Sequence, residues 1–136
     1  MLSRSGLVLA LLTCFAFSTM ADAGRIEQKS FMKKSYPGSR DRQYKVFVPS
    51  GHTGQSPVPM VMLLHGCGQT EVNMINETRF KELAERDNFV VVYPFITSFD
   101  PLPQRASNCW GFFIDEHIHE GAGEVEDLYQ MALEVE

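Results

Sequence analysis

The chain has 136 residues, a length that accommodates one domain at most. Hydrophobic residues make up 44% of it and charged residues 21%, and these ordinary proportions exclude a disordered or collagen-like chain. The formal net charge of −5 is unevenly distributed, because residues 25–45 carry seven Lys or Arg side chains, whereas residues 115–136 carry eight carboxylates and no Lys or Arg. Since no aromatic-interleaved binding motif accompanies the basic stretch, we expect two solvated faces and no nucleic-acid partner.

The first residues have the pattern of a secretory signal peptide. Arg4 supplies the positive charge, Gly6–Phe17 is apolar, and residues 21–23 fit the small-x-small rule for cleavage. The apolar run is shorter than the roughly 20 residues that a membrane-spanning helix needs, and no other segment is long enough. We therefore expect a signal peptide in residues 1–23 and one domain in residues 24–136. The mature protein would be secreted, extracellular or periplasmic, with no membrane association after cleavage.

Two hydrophobic patterns predict strands in the first half of that domain. Apolar or aromatic side chains at every second position of residues 44–48 predict a half-buried strand near an edge of the sheet. Val58–Leu64 is apolar throughout except for Pro59, which stands near the start of the run, where a proline is tolerated. Such a continuous run is typical of a parallel strand that helices cover on both faces.

The second half of the domain alternates helices with one further strand. Helical spacing of apolar residues predicts a helix over Glu77–Asn88, and Phe89–Tyr93 reads as a second buried strand that Pro94 would end. An irregular stretch follows over Phe95–His119. Residues 124–136 are predicted to form an amphipathic helix with one apolar stripe, made of Val125, Leu128, Ala132 and Val135. This order predicts an α/β fold with a mostly parallel sheet and flanking helices.

A glycine-rich motif, His65-Gly66-Cys67-Gly68, stands at the end of the first buried strand. In open α/β sheets, sites lie beyond the carboxyl ends of the strands. Glycines at such a place allow a sharp turn and leave amide N–H groups uncovered, and an uncovered amide in a cleft can stabilise a developing oxyanion. One such donor contributes about 2.7–4 kcal/mol of transition-state stabilisation in a well-studied protease. On these residues alone, a tight turn without chemistry remains an alternative.

Four separately spaced blocks resemble one family. The blocks "VMLLHGCGQT", "FKELAERDNFVVVYP", "NCWGFF" and "GAGEVEDL" resemble, in this order, the poly(3-hydroxybutyrate) depolymerase-type esterases, which are secreted α/β-hydrolases. The resemblance covers roughly residues 43–130. It implies a carboxylic ester hydrolase with a serine nucleophile, a polyester or short-chain ester as substrate, and no cofactor.

The resemblance also implies roles for matching residues. His65, Gly66 and Cys67 correspond to the oxyanion loop, with the backbone N–H of Cys67 as the donor, at the place where esterases of this fold carry their HGGG-type loop. Trp110 and Phe112 correspond to the part of the family that lines the substrate cleft. Ordinary core packing is the alternative for these two aromatic side chains.

No serine of the chain has the setting that a nucleophile of this fold requires. The nucleophile stands in G-x-S-x-G on a strand-to-helix turn, followed by the acid and the histidine of the triad. Ser56 comes nearest to this pattern, but no glycine stands two residues after it, and it precedes the oxyanion strand. We therefore expect all three triad residues beyond Glu136 and an inactive chain. The family's strand order implies that Val58–Leu64 lies between Phe89–Tyr93 and the nucleophile strand.

Cleavage of the signal peptide would leave Cys67 and Cys109 as the cysteines of the domain. An even number of cysteines in an exported protein is compatible with a disulfide. Two free thiols are the equally weighted alternative, because Cys67 would act through its backbone and its side chain is free to pack or to pair.

Two other functions remain open at this point. His117 and His119 would point the same way in an extended segment, with Asp115, Glu116 and Glu120 close by, which suggests a metal-binding exported protein. Tight zinc sites require three or four ligands in a set geometry, so we expect no metal here. The other alternative is a small secreted binding protein that reuses half of the fold.

Overall fold

The computed structural model describes residues 23–96 and 108–136. The predicted signal peptide up to residue 22 and residues 97–107 of the predicted irregular stretch lie outside the described residues. The described strands form one sheet in the order β1-β2-β4-β3, with bounds β1 Arg25–Phe31, β2 Arg42–Val48, β3 Met60–Met62 and β4 Val90–Phe95.

The described helices are α1 Glu71–Glu77, α2 Phe80–Asp87 and α3 Gly123–Val135, with a 3-10 helix over Asp115–His117. α1 begins after Thr70, whose hydroxyl accepts the Val72 N–H while the Asn73 side chain accepts the Thr70 N–H. α2 ends at Asn88, which adopts the left-handed conformation with φ of 55°. The predicted helix over Glu77–Asn88 corresponds to α2, whereas α1, which ends where that range begins, was not predicted.

β2 lies inside the sheet, so its predicted position near the edge is wrong. It pairs antiparallel with β1 on one side and antiparallel with β4 on the other. β1 was not predicted, because most of its side chains are exposed and polar and therefore show no alternation of apolar and polar residues. Of the three pairings in the described sheet, the two that involve β2 are antiparallel, and the parallel character predicted for the sheet is confined to β3 and β4, with Val61 opposite Val91.

β3 is shorter and less buried than the sequence predicts. It spans three residues of the predicted Val58–Leu64 strand, and all three are only half-buried. The prediction that this strand neighbours Phe89–Tyr93 is confirmed by its pairing with β4. On its other side no described strand pairs with it, so among residues 23–96 and 108–136 that edge of β3 lacks the neighbour that would complete its burial.

Helices cover the sheet on both faces, as the predicted α/β architecture requires. One cluster joins α3 to the sheet through Phe31, Tyr44, Val46, Val48, Val90, Val92 and Met131. The other cluster joins α1 and α2 to the opposite face through Phe47, Ile75, Ala84, Val91 and Tyr93. Strands β2 and β4 contribute alternate side chains to both clusters. None of the helices in the described part of the chain is long and apolar enough to cross a membrane.

The buried side of α3 differs from the predicted stripe. Val125 is exposed, whereas Glu124, Asp127 and Met131 are buried. Two carboxylates can face the core because the guanidinium of Arg42, itself buried, lies between them. An apolar pattern could not show this, because the partner charge is more than 80 residues away in the sequence.

Candidate active site

The glycine-rich motif forms a tight turn beyond the carboxyl end of β3. Leu63 N–H still donates to Val92, 2.9 Å away, and the chain then turns so that Gln69 N–H donates to the Gly66 carbonyl at 3.1 Å. Gly68 occupies the third position of this turn with φ of 73°. A positive φ at that position is typical of a type II turn and favours glycine.

The amide of Cys67 is open at this turn. The residue is exposed, and no hydrogen bond joins the N–H of Cys67 or of Gly68 to any of the residues that the structure describes. The preceding amide is occupied, because Gly66 N–H donates to the side-chain oxygen of Gln69 at 2.9 Å. Of the three residues that the resemblance assigns to the oxyanion loop, His65 is buried and the amide of Gly66 is occupied, whereas Cys67 is exposed and its amide is open.

His65 is buried, and its imidazole supports the turn through hydrogen bonds to the backbone. Its Nδ1–H donates to the Gly66 carbonyl at 2.9 Å, and its Nε2 accepts the N–H of Ile96 at 3.2 Å. These two partners fix the neutral tautomer with the proton on Nδ1. Because both ring nitrogens are occupied by backbone groups, the imidazole holds the turn and has no nitrogen left to exchange a proton with a substrate.

The segment around Trp110 is attached to the turn by a covalent bond and a hydrogen bond. Cys67 and Cys109 form a disulfide, which resolves the choice between a bridge and two free thiols. Trp110 Nε1–H donates to the His65 carbonyl at 3.0 Å, and the two rings lie 5.2 Å apart. Phe112 is 69% exposed, so core packing does not account for it.

A buried charge network connects this segment to α3 and β2. The N–H of Gly111 donates to the carboxylate of Glu124, and Arg42 Nη1 lies 4.0 Å from the other oxygen of that carboxylate. Arg42 Nε donates to Asp127 at 2.7 Å. Asp127 also accepts the hydroxyl of Tyr36 at 2.6 Å, and burial together with this hydrogen bond raises the pKa of Tyr36. The network fixes the position of the backbone that follows Trp110.

The metal hypothesis assumed an extended conformation around His117 and His119, and this assumption is wrong. Asp115–His117 forms a 3-10 helix that buries His117, while His119 is exposed and lies 3.0 Å from Asp115. Within the part of the chain that the structure describes, no three His, Cys, Asp or Glu side chains come together as a metal site.

Sequence reasoning missed Gln69, Glu124 and Arg42. Gln69 lies directly after the glycine-rich motif, and a polar residue able to reach back to a glycine amide is a signal that could have identified it. The spacing of Glu124 and Asp127 on the side of α3 that also carries Met131 could have indicated buried carboxylates. The position of Arg42 between them depends on tertiary structure and had no local signal.

Two solved structures share the fold of this chain. S-formylglutathione hydrolase FrmB of Staphylococcus aureus matches with a TM-score of 0.53 at 12% identity, over 84% of this chain and 41% of that chain. FphF, a fluorophosphonate-binding serine hydrolase of Staphylococcus aureus with bound substrate, matches with a TM-score of 0.51 at 12% identity, over 85% of this chain and 42% of that chain. These likenesses establish the α/β-hydrolase fold, and this chain spans about two fifths of either structure.

The sequence itself identifies the family. No curated protein matches the chain. The family model described as esterase PHB depolymerase matches residues 42–135, which is well over half of the chain. The chain therefore belongs to the PHB depolymerase-type esterase family.

Proposed function

We propose that the chain is the N-terminal part of a secreted polyhydroxybutyrate depolymerase-type ester hydrolase, and that Cys67 N–H is one donor of its oxyanion hole. The observation that carries the proposal is the open amide of Cys67 at the carboxyl end of β3, in a chain that the esterase family model matches. The Cys67–Cys109 disulfide supports export, because disulfides persist in oxidising compartments.

In this mechanism the chain stabilises charge and does not supply the nucleophile. A serine beyond Glu136 attacks the ester carbonyl with a histidine as base, and the tetrahedral oxyanion accepts hydrogen bonds from Cys67 N–H and a second amide beside the serine. Water then releases the acyl group. Enzymes stripped of their triad retain only about 10³–10⁴-fold acceleration over water, so the 136-residue chain alone is expected to be practically inactive.

The substrate would lie across the aromatic segment that follows Cys109. Trp110 is held against the turn by its hydrogen bond to the His65 carbonyl, and Phe112 projects into solvent beside Phe113, with ring centroids 5.1 Å apart. Rigid aromatic surface next to an oxyanion donor suits an apolar acyl chain, as in a polyester or a short-chain ester. No step of this mechanism needs a cofactor.

The nucleotide sequence beyond codon 136 tests the proposal first. A segment that encodes G-x-S-x-G within about one βα unit, roughly 30 residues, would supply the nucleophile. The product that includes this segment should hydrolyse p-nitrophenyl butyrate, and replacing its serine by alanine should abolish the activity. Serine-dependent hydrolysis by the 136-residue chain alone would contradict the proposal, as would the absence of such a segment in every frame.

A further inference from the structure

The backbone N–H and the backbone carbonyl of Gly66 both have hydrogen-bond partners, unlike the N–H groups of the next two residues in the turn. Its N–H donates to Gln69 Oε1 at 2.9 Å, and the Gly66 carbonyl accepts from Gln69 N–H at 3.1 Å and from His65 Nδ1–H at 2.9 Å. The next two amides, of Cys67 and Gly68, have no hydrogen-bond partner among the described residues. In this turn the amide of Gly66 is therefore occupied, whereas the amides of Cys67 and Gly68 are open.

The side chain of Gln69 is itself held in place from α1. Its Nε2 donates to Glu77 at 3.3 Å, and the other oxygen of that carboxylate accepts Asn73 Nδ2 at 2.6 Å. Gln69 Oε1 lies so near Gly66 that a Cβ on that glycine would come within 2.9 Å of it. The amide oxygen of Gln69 is therefore aimed at the Gly66 N–H by a chain of side chains that begins on the helix.

A turn of this composition needs such a restraint. Glycine visits positive and negative φ almost equally, so the peptide between His65 and Gly66 can rotate unless one of its polar groups is held. The Gly66 carbonyl belongs to the same planar peptide as the Cys67 N–H, so its hydrogen bonds from Gln69 N–H and His65 Nδ1–H fix the direction of that N–H. The bond from Gly66 N–H to Gln69 fixes the plane of the preceding peptide and removes that donor from competition for an anion.

We infer that Gln69 is a positioning residue of the oxyanion turn, which occupies the Gly66 N–H so that the amides of Cys67 and Gly68 alone face the substrate. The inference rests on the proposed oxyanion role of this turn. In this role Gln69 determines which of three consecutive amide donors is available to an anion. It takes no direct part in the chemistry of the nucleophile or the base.

The test is NMR on the purified chain, labelled selectively with [¹⁵N]glycine, [¹⁵N]cysteine and [¹⁵N]valine. In the wild type, Gly66 N–H should exchange with solvent at least tenfold more slowly than Cys67 N–H. Gln69→Ala should raise the Gly66 exchange rate at least tenfold and leave Val92 in the centre of the sheet unchanged. The matched control Gln55→Ala, at an exposed loop position, should alter neither rate.

A rescue variant and a tetrahedral oxyanion separate positioning from folding. The double variant Gln69→Glu/Glu77→Gln keeps an acceptor for the Gly66 N–H. It also keeps the hydrogen bond between positions 69 and 77, with donor and acceptor exchanged. Protection of the Gly66 N–H from solvent exchange should therefore return. Added methylphosphonate should shift the Cys67 and Gly68 resonances in the wild type but not that of Gly66. In Gln69→Ala the Gly66 resonance should move as well, and the Cys67 shift should fall at least threefold.

Failure of the inference is distinguishable from failure of the proposed function. Equal exchange at Gly66 and Cys67 in the wild type would overturn the role of Gln69, as would an unchanged Gly66 rate in folded Gln69→Ala. If Gln69→Ala does not fold, loss of Gly66 protection in the folded rescue variant overturns it. A wild-type turn in which methylphosphonate shifts no amide would instead reject the oxyanion role, whatever the exchange rates.

Discussion

At the scale of single residues, a buried network of charged side chains is centred on the guanidinium of Arg42. Arg42 lies between Glu124 and Asp127, and all three side chains are almost completely buried. Removing one partner of such a group leaves uncompensated charge in the interior, which costs far more than losing a pair at the surface. A single substitution in the Arg42 network should therefore be strongly destabilising.

Arg42→Met should lower the free energy of unfolding by about 3–5 kcal/mol, because it removes the guanidinium from between two buried carboxylates. Urea unfolding followed by circular dichroism measures the loss. The matched control is Arg25→Met, which breaks the exposed Arg25–Glu27 pair at 2.8 Å and should cost at most about 1 kcal/mol. Equal losses in the two variants would show that burial of the Arg42 network does not matter.

Tyr93 gives the fold a dependence on alkaline pH. It is buried, its hydroxyl has no partner among the described residues, and burial, with a smaller effect of Glu82, raises its pKa to about 12. The unfolded chain releases the same proton near pH 10. The folded state therefore holds more protons between these values, and stability should fall as the pH rises from 10 towards 12.

Tyr93→Phe removes this titration and should lose less stability than the wild type between pH 9 and pH 11. Urea midpoints measured across that range give the comparison, with Tyr129→Phe at an exposed position as the control. Parallel pH profiles for Tyr93→Phe and the wild type would contradict the assignment.

At the scale of elements, the disulfide joins the glycine-rich turn to the aromatic segment. Cys67 and Cys109 are separated by 42 positions in the sequence. In the chain-entropy model a closed loop of this length stabilises the fold by roughly 4 kcal/mol. The double variant Cys67→Ala/Cys109→Ala should show a loss near that size in urea unfolding, and a reducing agent should destabilise the wild type but not the variant. A wild type indifferent to reduction would contradict a structural role for the bridge.

The elements also show how far the sequence predicts this fold. Continuous apolar runs located β3 and β4, and helical spacing located α2 and α3, because these elements bury a regular pattern. β1 carried no such pattern, since six of its seven side chains are not buried. The turn at Cys67 could be predicted from its glycines, whereas the contacts of Gln69 and Arg42 depend on groups that tertiary structure brings together.

At the scale of the whole molecule, the β3 edge of the sheet has no described neighbour on its outer side. β3 pairs with β4 on one side only. The chain spans about two fifths of the length of FrmB and of FphF. The proposed strand order places the nucleophile strand at that edge of β3. The open amide of Cys67 would then face the serine, which is the geometry that ester hydrolysis in this fold requires.

Labelling with a fluorophosphonate tests this account most directly, because the probe reacts with an activated serine and needs no knowledge of the ester substrate. We expect no labelling of the 136-residue chain and labelling of the product extended through the downstream G-x-S-x-G segment. Replacing the serine of that segment by alanine should abolish the label. Labelling of the 136-residue chain itself, or an extended product that the probe leaves untouched, would contradict the account.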